Sequence, residues 1–401
     1  MKIPVSSPII TDDDLEAVHK AVDKGWFTEG TQCSLFSREL CDFTDNDHCQ
    51  LVNSGSSANL LAITAATELR PEGKLILTQA LAFPTTVAPI YQNGKIPVYV
   101  DTDPKTLSPD IGQIAYLVDK YGDDIGGAIF THVLGFPYDE RLVREILGYD
   151  RFLIADCCDC LGGKVHGESV GFWADISTYS FFPAHHITTG EGGAVLTKFH
   201  ELFKVMRSVA NWGRDCYCQP GQQNVCGKRF EQGFLTLPEG YDHKYTFSRL
   251  GYNLKMTELQ AAMGVTQLER ANEFIFSIRH NHAALDLLLG KFSEYLERVV
   301  FVKEHKISPF GYPIILKVKG YTDDLIRHLE KHGVSTRRIF AGNITRQPGY
   351  FGLPHIKLDL DNSDYLMENA FWIGCGPWIT SEMIHHIGEV FTDWFDEKGL
   401  L

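Results

Sequence analysis

The amino-acid sequence predicts an α/β fold, in which a large and mostly parallel β-sheet is followed by a smaller C-terminal α/β lobe. Two observations predict it: short β-like runs recur along the first half of the chain, and helical patterns separate several of them. This alternation is typical of βαβ units, whose helices cover both faces of the sheet. The β-like runs are KLILT at 74–78, IPVYV at 96–100, GAIFTHV at 127–133, RFLIAD at 151–156 and GAVLT at 193–197.

The other elements follow in chain order. Residues 12–24 predict a helix, because its first turn is acidic and the helix dipole favours negative charge there. The chain looks extended around residues 49–53 and then begins an apolar helix. A long helical pattern starts near Lys255 and leads into a smaller α/β segment that includes YPIILKV and DDLIRHLEKHG.

The length of 401 residues favours one catalytic unit of two lobes over a string of modules. We therefore predict a large domain over residues 1–275 and a small C-terminal domain over 276–401. A cysteine-rich segment at about 214–245 is predicted as an insertion in the large domain.

The net charge of −14 argues against general binding to nucleic acids or anionic membranes. The first residues, MKIPVSSPIITDDD, lack the basic and apolar regions of a secretory signal. No uncharged run approaches the roughly 18 residues of a membrane span. We expect a cytoplasmic protein.

The sequence Ser54-Gly55-Ser56-Ser57 lies where an apparent strand passes into a helix. Free backbone N–H groups and the helix dipole suit a phosphate at such a position, and the hydroxyls add donors. The alternative interpretation is a serine–glycine turn that only caps the helix.

Asp156 ends the apolar run that begins at Phe152. A carboxylate at the end of a buried strand is costly unless it has a cationic partner. A protonated pyridine nitrogen would be such a partner, and the pairing would keep that ring an electron sink. The alternative is an ordinary buried aspartate that caps a loop.

The segment from Ser180 to Gly193, SFFPAHHITTGEGG, is informative because of a residue that it lacks. It resembles the active-site segment of sugar aminotransferases that use pyridoxal phosphate, S-F-H-x-x-K-x-x-x-x-G-[ED]-G-G, in which the lysine forms the Schiff base. His185 occupies the lysine position here. An imidazole can move protons but cannot anchor the cofactor covalently.

Read together, these segments resemble the DegT/DnrJ/EryC1/StrS family of sugar-modifying pyridoxal phosphate enzymes. The resemblance implies a fold-type I architecture like that of aspartate aminotransferase, with a sheet of the seven-strand type. It covers nearly the whole chain and includes GWFTEGTQ (25–32), NSGSSANL (53–60), AFPTTVAPIYQNGKIPVYVDTD (82–103), ADCCDCLGG (155–163) and GYNLKMTELQAA (251–262).

The resemblance implies which residues bind the cofactor phosphate. Ser56 and Ser57 would bind it, and Ser180 would assist. Asn253, in the family's G-x-N-x-[RK]-M motif, would reach the phosphate from the neighbouring subunit. That role implies a homodimer whose active site is shared between its subunits.

Around the pyridine ring, the resemblance implies that Phe83 stacks on the ring and that Asp156 pairs with its nitrogen. Three departures from the aminotransferase pattern stand beside these matches. His185 replaces the lysine, Phe182 replaces a histidine, and Asp159 stands where Gln or His is usual near the phenolic oxygen. These departures resemble the sugar 3-dehydratases that make 3-deoxysugars.

Four of the ten cysteines form a spaced set, C-x57-C-x-C-x7-C, made of Cys158, Cys216, Cys218 and Cys226. The spacing suits four thiolates on either a zinc ion or a [2Fe–2S] cluster. It resembles the iron–sulfur branch of these dehydratases, the CDP-4-keto-6-deoxyglucose-3-dehydratase type, and a site without lysine calls for an electron source. Because neighbours in an extended segment point opposite ways, Cys157 is not expected to be a ligand beside Cys158.

The resemblance therefore implies pyridoxamine phosphate and a [2Fe–2S] cluster as cofactors, with His185 as the catalytic base. The expected substrate is a nucleotide-linked 4-keto-6-deoxyhexose that loses its C3 hydroxyl. Electrons would come from a reductase, either an iron–sulfur flavoprotein or a ferredoxin or flavodoxin system.

Three alternatives stay open. A cluster-free 3-dehydratase would regenerate its cofactor with glutamate and would not need the cysteines. A sugar aminotransferase would need the lysine that His185 replaces. A non-catalytic regulator that binds a cofactor or metal on the same fold would also tolerate the loss of the lysine.

Overall fold

The computed structural model describes residues 1–216, 218, 221–231, 233–234, 236–302 and 304–400. Its α-helices are α1 Asp12–Asp23, α2 Thr31–Thr44, α3 Gly55–Leu69, α4 Pro84–Gln92, α5 Ile111–Tyr121, α6 Glu140–Leu147, α7 His200–Ala210, α8 Glu258–Glu269, α9 Ala271–Leu289, α10 Thr322–Lys331, α11 Asp361–Asn369 and α12 Ser381–Glu397. Its strands are β1 His48–Val52, β2 Leu75–Gln79, β3 Ile96–Val100, β4 Ile125–Thr131, β5 Phe152–Asp156, β6 Lys164–Val165, β7 Glu168–Ser169, β8 Ile176–Ser180, β9 Gly193–Thr197, β10 Leu296–Glu297, β11 Tyr312–Leu316, β12 Thr336–Arg337, β13 Ile356–Lys357 and β14 Ala370–Ile373.

The large sheet has the strand order β1-β9-β8-β5-β4-β2-β3-β13. Only β9 runs against the others, because it pairs antiparallel with both β1 and β8 while the remaining pairs are parallel. The prediction of an α/β fold with a mostly parallel sheet is confirmed. The sheet has one strand more than the seven-strand type, since the two-residue strand β13 from the C-terminal part joins its edge beside β3.

Burial explains the central elements of this sheet. All five residues of β5 are buried, as expected for a parallel strand covered on both faces. Helix α3 packs on the sheet through alanine and leucine side chains that include Ala58, Leu61, Ala62 and Ala65. It begins at Ser54, whose hydroxyl accepts a hydrogen bond from the backbone N–H of Ser57 at 3.1 Å.

A second sheet, β10-β11-β14-β12, is antiparallel throughout and builds the core of the smaller lobe. Helix α9 joins the two cores, because Phe274 and Ile275 pack in the large one while Ile278 and Leu285 pack in the small one. The predicted domain boundary lies within this helix and stays a prediction. The N-terminus departs from that division, since Ile3 packs in the small core.

The helical pattern predicted from Lys255 is divided into α8 and α9 at Arg270, which has φ −100° and ψ 0°. The guanidinium of Arg270 binds the buried carboxylate of Asp14 in α1 at 2.6 Å. The hydrophobic spacing continues across this break, and so the sequence pattern did not reveal it. In the part of the chain that the structure describes, no helix is long and apolar enough to cross a bilayer.

Candidate active site

The N-termini of helices α3 and α4 meet at the C-terminal edge of the large sheet. The hydroxyl of Ser56 donates to the hydroxyl of Thr85 at 3.0 Å, which joins the first turns of the two helices. The hydroxyl of Ser57 donates to the side-chain carbonyl of Asn53 at 2.6 Å. Two helix N-termini that carry hydroxyl groups form a suitable environment for a phosphate.

Gly55 lets Ser180, at the end of β8, lie close to the N-terminus of α3. A Cβ atom at position 55 would lie 2.5 Å from the Cβ of Ser180 and 3.2 Å from the sulfur of Cys158. Since real Cβ atoms do not approach side chains to 2.5 Å, only glycine fits. The structure therefore brings the predicted phosphate-binding residues Ser56, Ser57 and Ser180 to one helix N-terminus.

Asp156 is buried at the end of β5, and four donors hold its carboxylate. Oδ2 accepts from the Asn59 amide at 2.9 Å, the Thr86 hydroxyl at 2.8 Å and the Thr131 hydroxyl at 3.4 Å. Oδ1 accepts from the backbone N–H of Cys158 at 3.2 Å. All four donors are uncharged, and so none of them balances the negative charge of the carboxylate. A cation placed against Asp156 would do so.

The sequence analysis did not identify Asn59, Thr86 or Thr131, which orient this aspartate. They come from α3, α4 and β4, and so only the folded chain brings them together. One signal was available: Asn59 is a polar residue in an otherwise apolar, buried stretch of helix, and buried amides need hydrogen-bond partners.

Phe83 directly precedes α4 on the side of the sheet edge that carries Thr85. Its ring is 49% exposed and touches Phe340 edge-on at a centroid distance of 6.2 Å. A large apolar ring that is half exposed beside the helix N-termini is available for stacking on a planar ligand.

His185 lies beneath this edge, and its side chain is only 13% exposed. Its ring lies 5.0 Å from that of Phe310, and its Nδ1 lies 3.6 Å from Oδ1 of Asp159. Burial, reinforced by the neighbouring His186, lowers the pKa of His185 to about 3. The imidazole is therefore neutral near pH 7 and can accept a proton.

Asp159 is the buried partner of His185. Burial, together with the negative charge of Asp156, raises the pKa of Asp159 well above its usual range. The 3.6 Å separation of Asp159 and His185 is too long for a hydrogen bond. Oδ2 of Asp159 and Nδ1 of His185 both lack a hydrogen-bond partner within the described ranges. These two buried polar atoms indicate that a polar ligand belongs beside Asp159 and His185.

His186 points away from the site. Its Nε2 lies 3.0 Å from the backbone carbonyl of Ser308, and burial lowers its pKa to about 4. This backbone contact favours a packing role for His186 over a role as a second catalytic imidazole.

Asn253 is exposed and lies near the junction of β1 and α3. Its side-chain oxygen accepts from the ammonium of Lys255 at 2.7 Å, and the following carbonyl, of Leu254, accepts from the N–H of Asn53 at 2.7 Å. The predicted reach of Asn253 into a neighbouring subunit stays a prediction.

The four cysteines of the spaced set occupy different settings. Cys158 lies against Gly55, and burial raises the pKa of its thiol. The backbone N–H of Cys218 donates to the sulfur of Cys216 at 3.4 Å, and Cys226 is exposed. Across the described part of the chain, the groups with three metal-ligand atoms within 4.8 Å of one another do not include this set. That distance applies to a single ion such as zinc, which gathers all of its ligands around one atom, whereas a [2Fe–2S] cluster divides its four thiolates between two irons. Residues 217, 219 and 220 of this segment lie outside the described ranges.

The other two cysteines of the ADCCDCLGG stretch lie in the core. Cys157 and Cys160 are fully buried in the large apolar core. The thiol of Cys157 donates to the carbonyl of Ala155 at 3.5 Å.

The fold and the arrangement of this sheet edge define the architecture of fold-type I pyridoxal phosphate enzymes. The chain belongs to the DegT/DnrJ/EryC1/StrS aminotransferase family, whose model matches residues 8–392.

Curated relatives cover almost the whole chain. The lipopolysaccharide biosynthesis protein RfbH of Salmonella typhimurium is 42% identical over 404 residues, which is 98% of this chain and 92% of the relative. The dTDP-4-dehydro-2,6-dideoxy-D-glucose 3-dehydratase of Saccharopolyspora spinosa is 38% identical and covers 97% of this chain and 86% of its own.

Solved structures agree with the fold. The GDP-4-keto-6-deoxy-D-mannose-3-dehydratase of E. coli, with bound hydrated pyridoxal phosphate, matches with a TM-score of 0.86 at 25% identity. That match covers 97% of this chain and 99% of the other. A GDP-4-keto-6-deoxymannose-3-dehydratase with a trapped adduct of pyridoxal phosphate and glutamate, a geminal diamine, matches with a TM-score of 0.85 at 26% identity over 97% of this chain and 100% of the other.

Proposed function

We propose that this protein is a nucleotide-sugar 3-dehydratase that uses pyridoxamine phosphate to remove the C3 hydroxyl of a nucleotide-linked 4-keto-6-deoxyhexose. The observation that carries the proposal is the neutral, buried His185 at the position where an aminotransferase has its lysine. The other predicted cofactor-binding residues of this edge form what we call the cofactor cradle: Ser56, Ser57, Phe83, Asp156 and Ser180. Relatives named as sugar 3-dehydratases support the proposal.

The chain's own residues suggest how the cofactor is held. Ser56, Ser57 and Ser180 bind the phosphate at the N-terminus of α3, where the helix dipole adds to their hydroxyls. Phe83 covers one face of the ring, and Asp156 keeps the pyridine nitrogen protonated. When bound, pyridoxamine phosphate supplies an amine for the 4-keto carbon and a ring that accepts electron density.

His185 acts as the base. Its neutral imidazole has a lone pair for a proton from the carbon that carries the cofactor's amine, but the burial that lowers its pKa to about 3 also weakens it as a base. Burial and the negative charge of Asp156 raise the pKa of Asp159, which favours a carboxyl group that donates a hydrogen bond to the cofactor's phenolic oxygen. Phe310 packs beside His185 and limits the movement of its ring.

A second part of the proposal concerns the source of the electrons that the deoxygenation consumes. We propose that Cys158, Cys216, Cys218 and Cys226 bind a [2Fe–2S] cluster, which a separate reductase supplies with electrons. Their spacing and the position of Cys158, two residues after Asp156, support this assignment. Metal binding is commonly coupled to folding, and iron would fix the exposed Cys226 beside the adjacent Cys216 and Cys218.

A cluster-free, glutamate-dependent dehydratase is the second candidate. One observation favours it: a similar dehydratase was solved with glutamate joined to its cofactor. Under this alternative, Cys216, Cys218 and Cys226 have no part in the reaction.

Product analysis tests the dehydration itself. The purified protein, loaded with pyridoxamine phosphate, is incubated with CDP-, dTDP- and GDP-linked 4-keto-6-deoxyhexoses. The masses of the products are then measured by mass spectrometry. We expect the loss of one oxygen when a reductant is present, and an at least 100-fold lower rate for His185→Asn with cofactor binding retained. An amino sugar as the main product would identify an aminotransferase, and no reaction with any of the three would favour a non-catalytic regulator.

Metal analysis separates the two dehydratases. Iron and labile sulfide are measured on anaerobically purified protein, with an EPR spectrum after reduction by dithionite. About two irons per chain and a reduced [2Fe–2S] signal are expected. Zinc in place of iron, or glutamate-dependent turnover by the iron-free protein, would overturn the cluster assignment and leave the dehydration standing.

A further inference from the structure

Three potential metal ligands meet on the side of the large domain that carries α6. Asp139 is the N-cap residue of α6, His166 lies in the turn between β6 and β7, and His305 precedes the segment that contacts His186 through Ser308. Each offers one ligand atom, and these three atoms lie within 4.8 Å of one another. Neither the cofactor cradle nor the cysteine set uses them.

His305 is the most telling member, because it is only 3% exposed and one of its nitrogens is unsatisfied. Its Nδ1 lies 3.4 Å from the carbonyl of Pro137, whereas its buried Nε2 has no hydrogen-bond partner among the residues described. A buried polar atom without a partner costs on the order of 1–3 kcal/mol. Metal-binding histidines have this arrangement, with one nitrogen donating to a backbone carbonyl and the other free for the metal.

His166 is held toward the same point by an unusual turn. It has φ +50°, and Gly167, with φ +91°, completes a two-residue loop between the paired residues Val165 and Glu168. Such hairpin loops favour Asn or Gly at the first position, because both central residues have positive φ. The turn places Nε2 of His166 2.8 Å from Oδ2 of Asp139 and its ring edge-on to that of His305 at 5.0 Å.

A second group in the same region behaves differently. His132, Glu140 and Cys157 also have ligand atoms within 4.8 Å of one another, but all three are buried. Oε1 of Glu140 lies 2.8 Å from Nε2 of His132 and accepts from the N–H of Gly171 at 2.6 Å. These polar atoms satisfy one another, and we assign this group a structural role.

We propose that Asp139, His166 and His305 bind a divalent transition-metal ion of the zinc class, with water completing the coordination. Two imidazoles and one carboxylate are a donor set that suits Zn²⁺ and its neighbours better than Mg²⁺ or Ca²⁺. The backbones of Lys164 and Lys306 already exchange two hydrogen bonds of 2.9 Å beside this point. The ion would fasten the 305–308 segment, on which His186 rests, to the β6–β7 hairpin. This proposal is independent of the proposed function.

A cobalt titration of the full-length protein tests the site. Co²⁺ is added to the metal-depleted chain and its visible absorption is followed, with Zn²⁺ competition and the melting temperature as further readouts. We expect His166→Asn to fold normally, because Asn-Gly is a favoured loop, and to lose one equivalent of bound metal and the metal-induced rise in melting temperature. Asp139→Asn keeps the helix cap and should weaken binding by more than the roughly 10–100-fold typical of changes next to a ligand.

His385→Asn is the matched control, since His385 is an exposed histidine that also pairs with a carboxylate, that of Glu389 at 3.3 Å. This variant should bind as the parent chain does. Cysteine-bound Co²⁺ is common to all of the variants and cancels in the comparison. The same titration curve for His166→Asn and the parent chain, or an equal loss in His385→Asn, would overturn the proposal.

Discussion

Two regions of this protein carry its reactive side chains, and they are built in opposite ways. The Asp156 carboxylate is fixed by donors from α3, α4 and β4, all of which are packed on the large sheet. Cys216, Cys218 and Cys226 lie in a stretch between α7 and α8 whose described residues form turns and one short 3₁₀ helix, His243–Tyr245. Folding alone completes the first region, whereas the second presents ligands that a metal would have to gather.

The largest effect is expected from a substitution of Asp156, which lies at the centre of the region that folding completes. Asp156→Asn keeps the shape of the side chain but removes the charge that would face the pyridine nitrogen. Because breaking a buried charge pair costs about 3–5 kcal/mol, we expect pyridoxamine phosphate to bind about 150- to 4000-fold more weakly, as measured by fluorescence titration.

The matched control for that change is Thr131→Val, which removes the most distant of the donors to Asp156, at 3.4 Å. Its effect on cofactor affinity should be small. If Asp156→Asn bound the cofactor as tightly as the parent chain, the pairing of Asp156 with the ring would be wrong.

A second change tests whether His185 stands at the lysine position of the family. In His185→Lys, burial should lower the pKa of the new amine and favour a covalent bond to the aldehyde of added pyridoxal phosphate. We expect a shift in the visible absorbance that borohydride makes permanent, together with the loss of dehydration. His185→Asn serves as the control and should show no shift; the absence of a shift in the lysine variant would mean that the position is misassigned.

The cysteine region is tested by Cys158→Ser. We expect this variant to lose its iron and its deoxygenation activity while it binds pyridoxamine phosphate nearly as the parent chain does. Cys160→Ala, a change of a fully buried cysteine two positions along the chain, should keep both properties. An equal loss of cofactor binding and activity in Cys158→Ser would assign this residue to the packing around Gly55 instead.

The smallest expected effect is on the pH dependence of the unfolding free energy, and it tests the burial of His186. Burial keeps His186 neutral with a pKa of about 4, whereas in the unfolded chain it takes up a proton near pH 6.5. The unfolded state therefore binds more protons between these values, and the stability should fall as the pH is lowered from about 6.5 to 4, by at most about 1.4 kcal/mol per pH unit for this group.

Urea unfolding of His186→Asn at several pH values measures this contribution. The dependence of the unfolding free energy on pH should be shallower in that variant than in the parent chain. The exposed His385 provides the control, because His385→Asn should leave the dependence unchanged. Identical curves for the parent chain and His186→Asn would contradict a depressed pKa.

The sequence predicted most of what lies on regular elements. The strand predictions match β2, β3, β4, β5 and β9 to within two residues, because strands that are buried on both faces are continuous apolar runs. Strand β8, which leads into the His185 segment, was not predicted, since its sequence ISTYS is mostly polar. The two-residue strand β13 was also missed, because a pairing so short depends on the tertiary structure and leaves no periodic signal.

The residues of the candidate site also differ in whether the sequence alone could identify them. Ser56, Asp156 and His185 could be identified from the sequence, because each stands at the end of a recognisable element or in a family segment. Asn59 and Thr86 could not, since their importance comes from distances across the fold. The set of Asp139, His166 and His305 could not be identified for the same reason, because 138 residues lie between its last two members and only the folded chain brings them together.

Strand β13 has a consequence for how the protein is made on the ribosome. It covers the edge of β3, yet the 255 residues between Val100 and Ile356 must be synthesised before it exists. At about 5–20 residues per second, the edge of β3 stays open for roughly 10–50 s in every round of translation. Because an open strand edge can pair with other chains, this interval is when the nascent protein would benefit most from a chaperone.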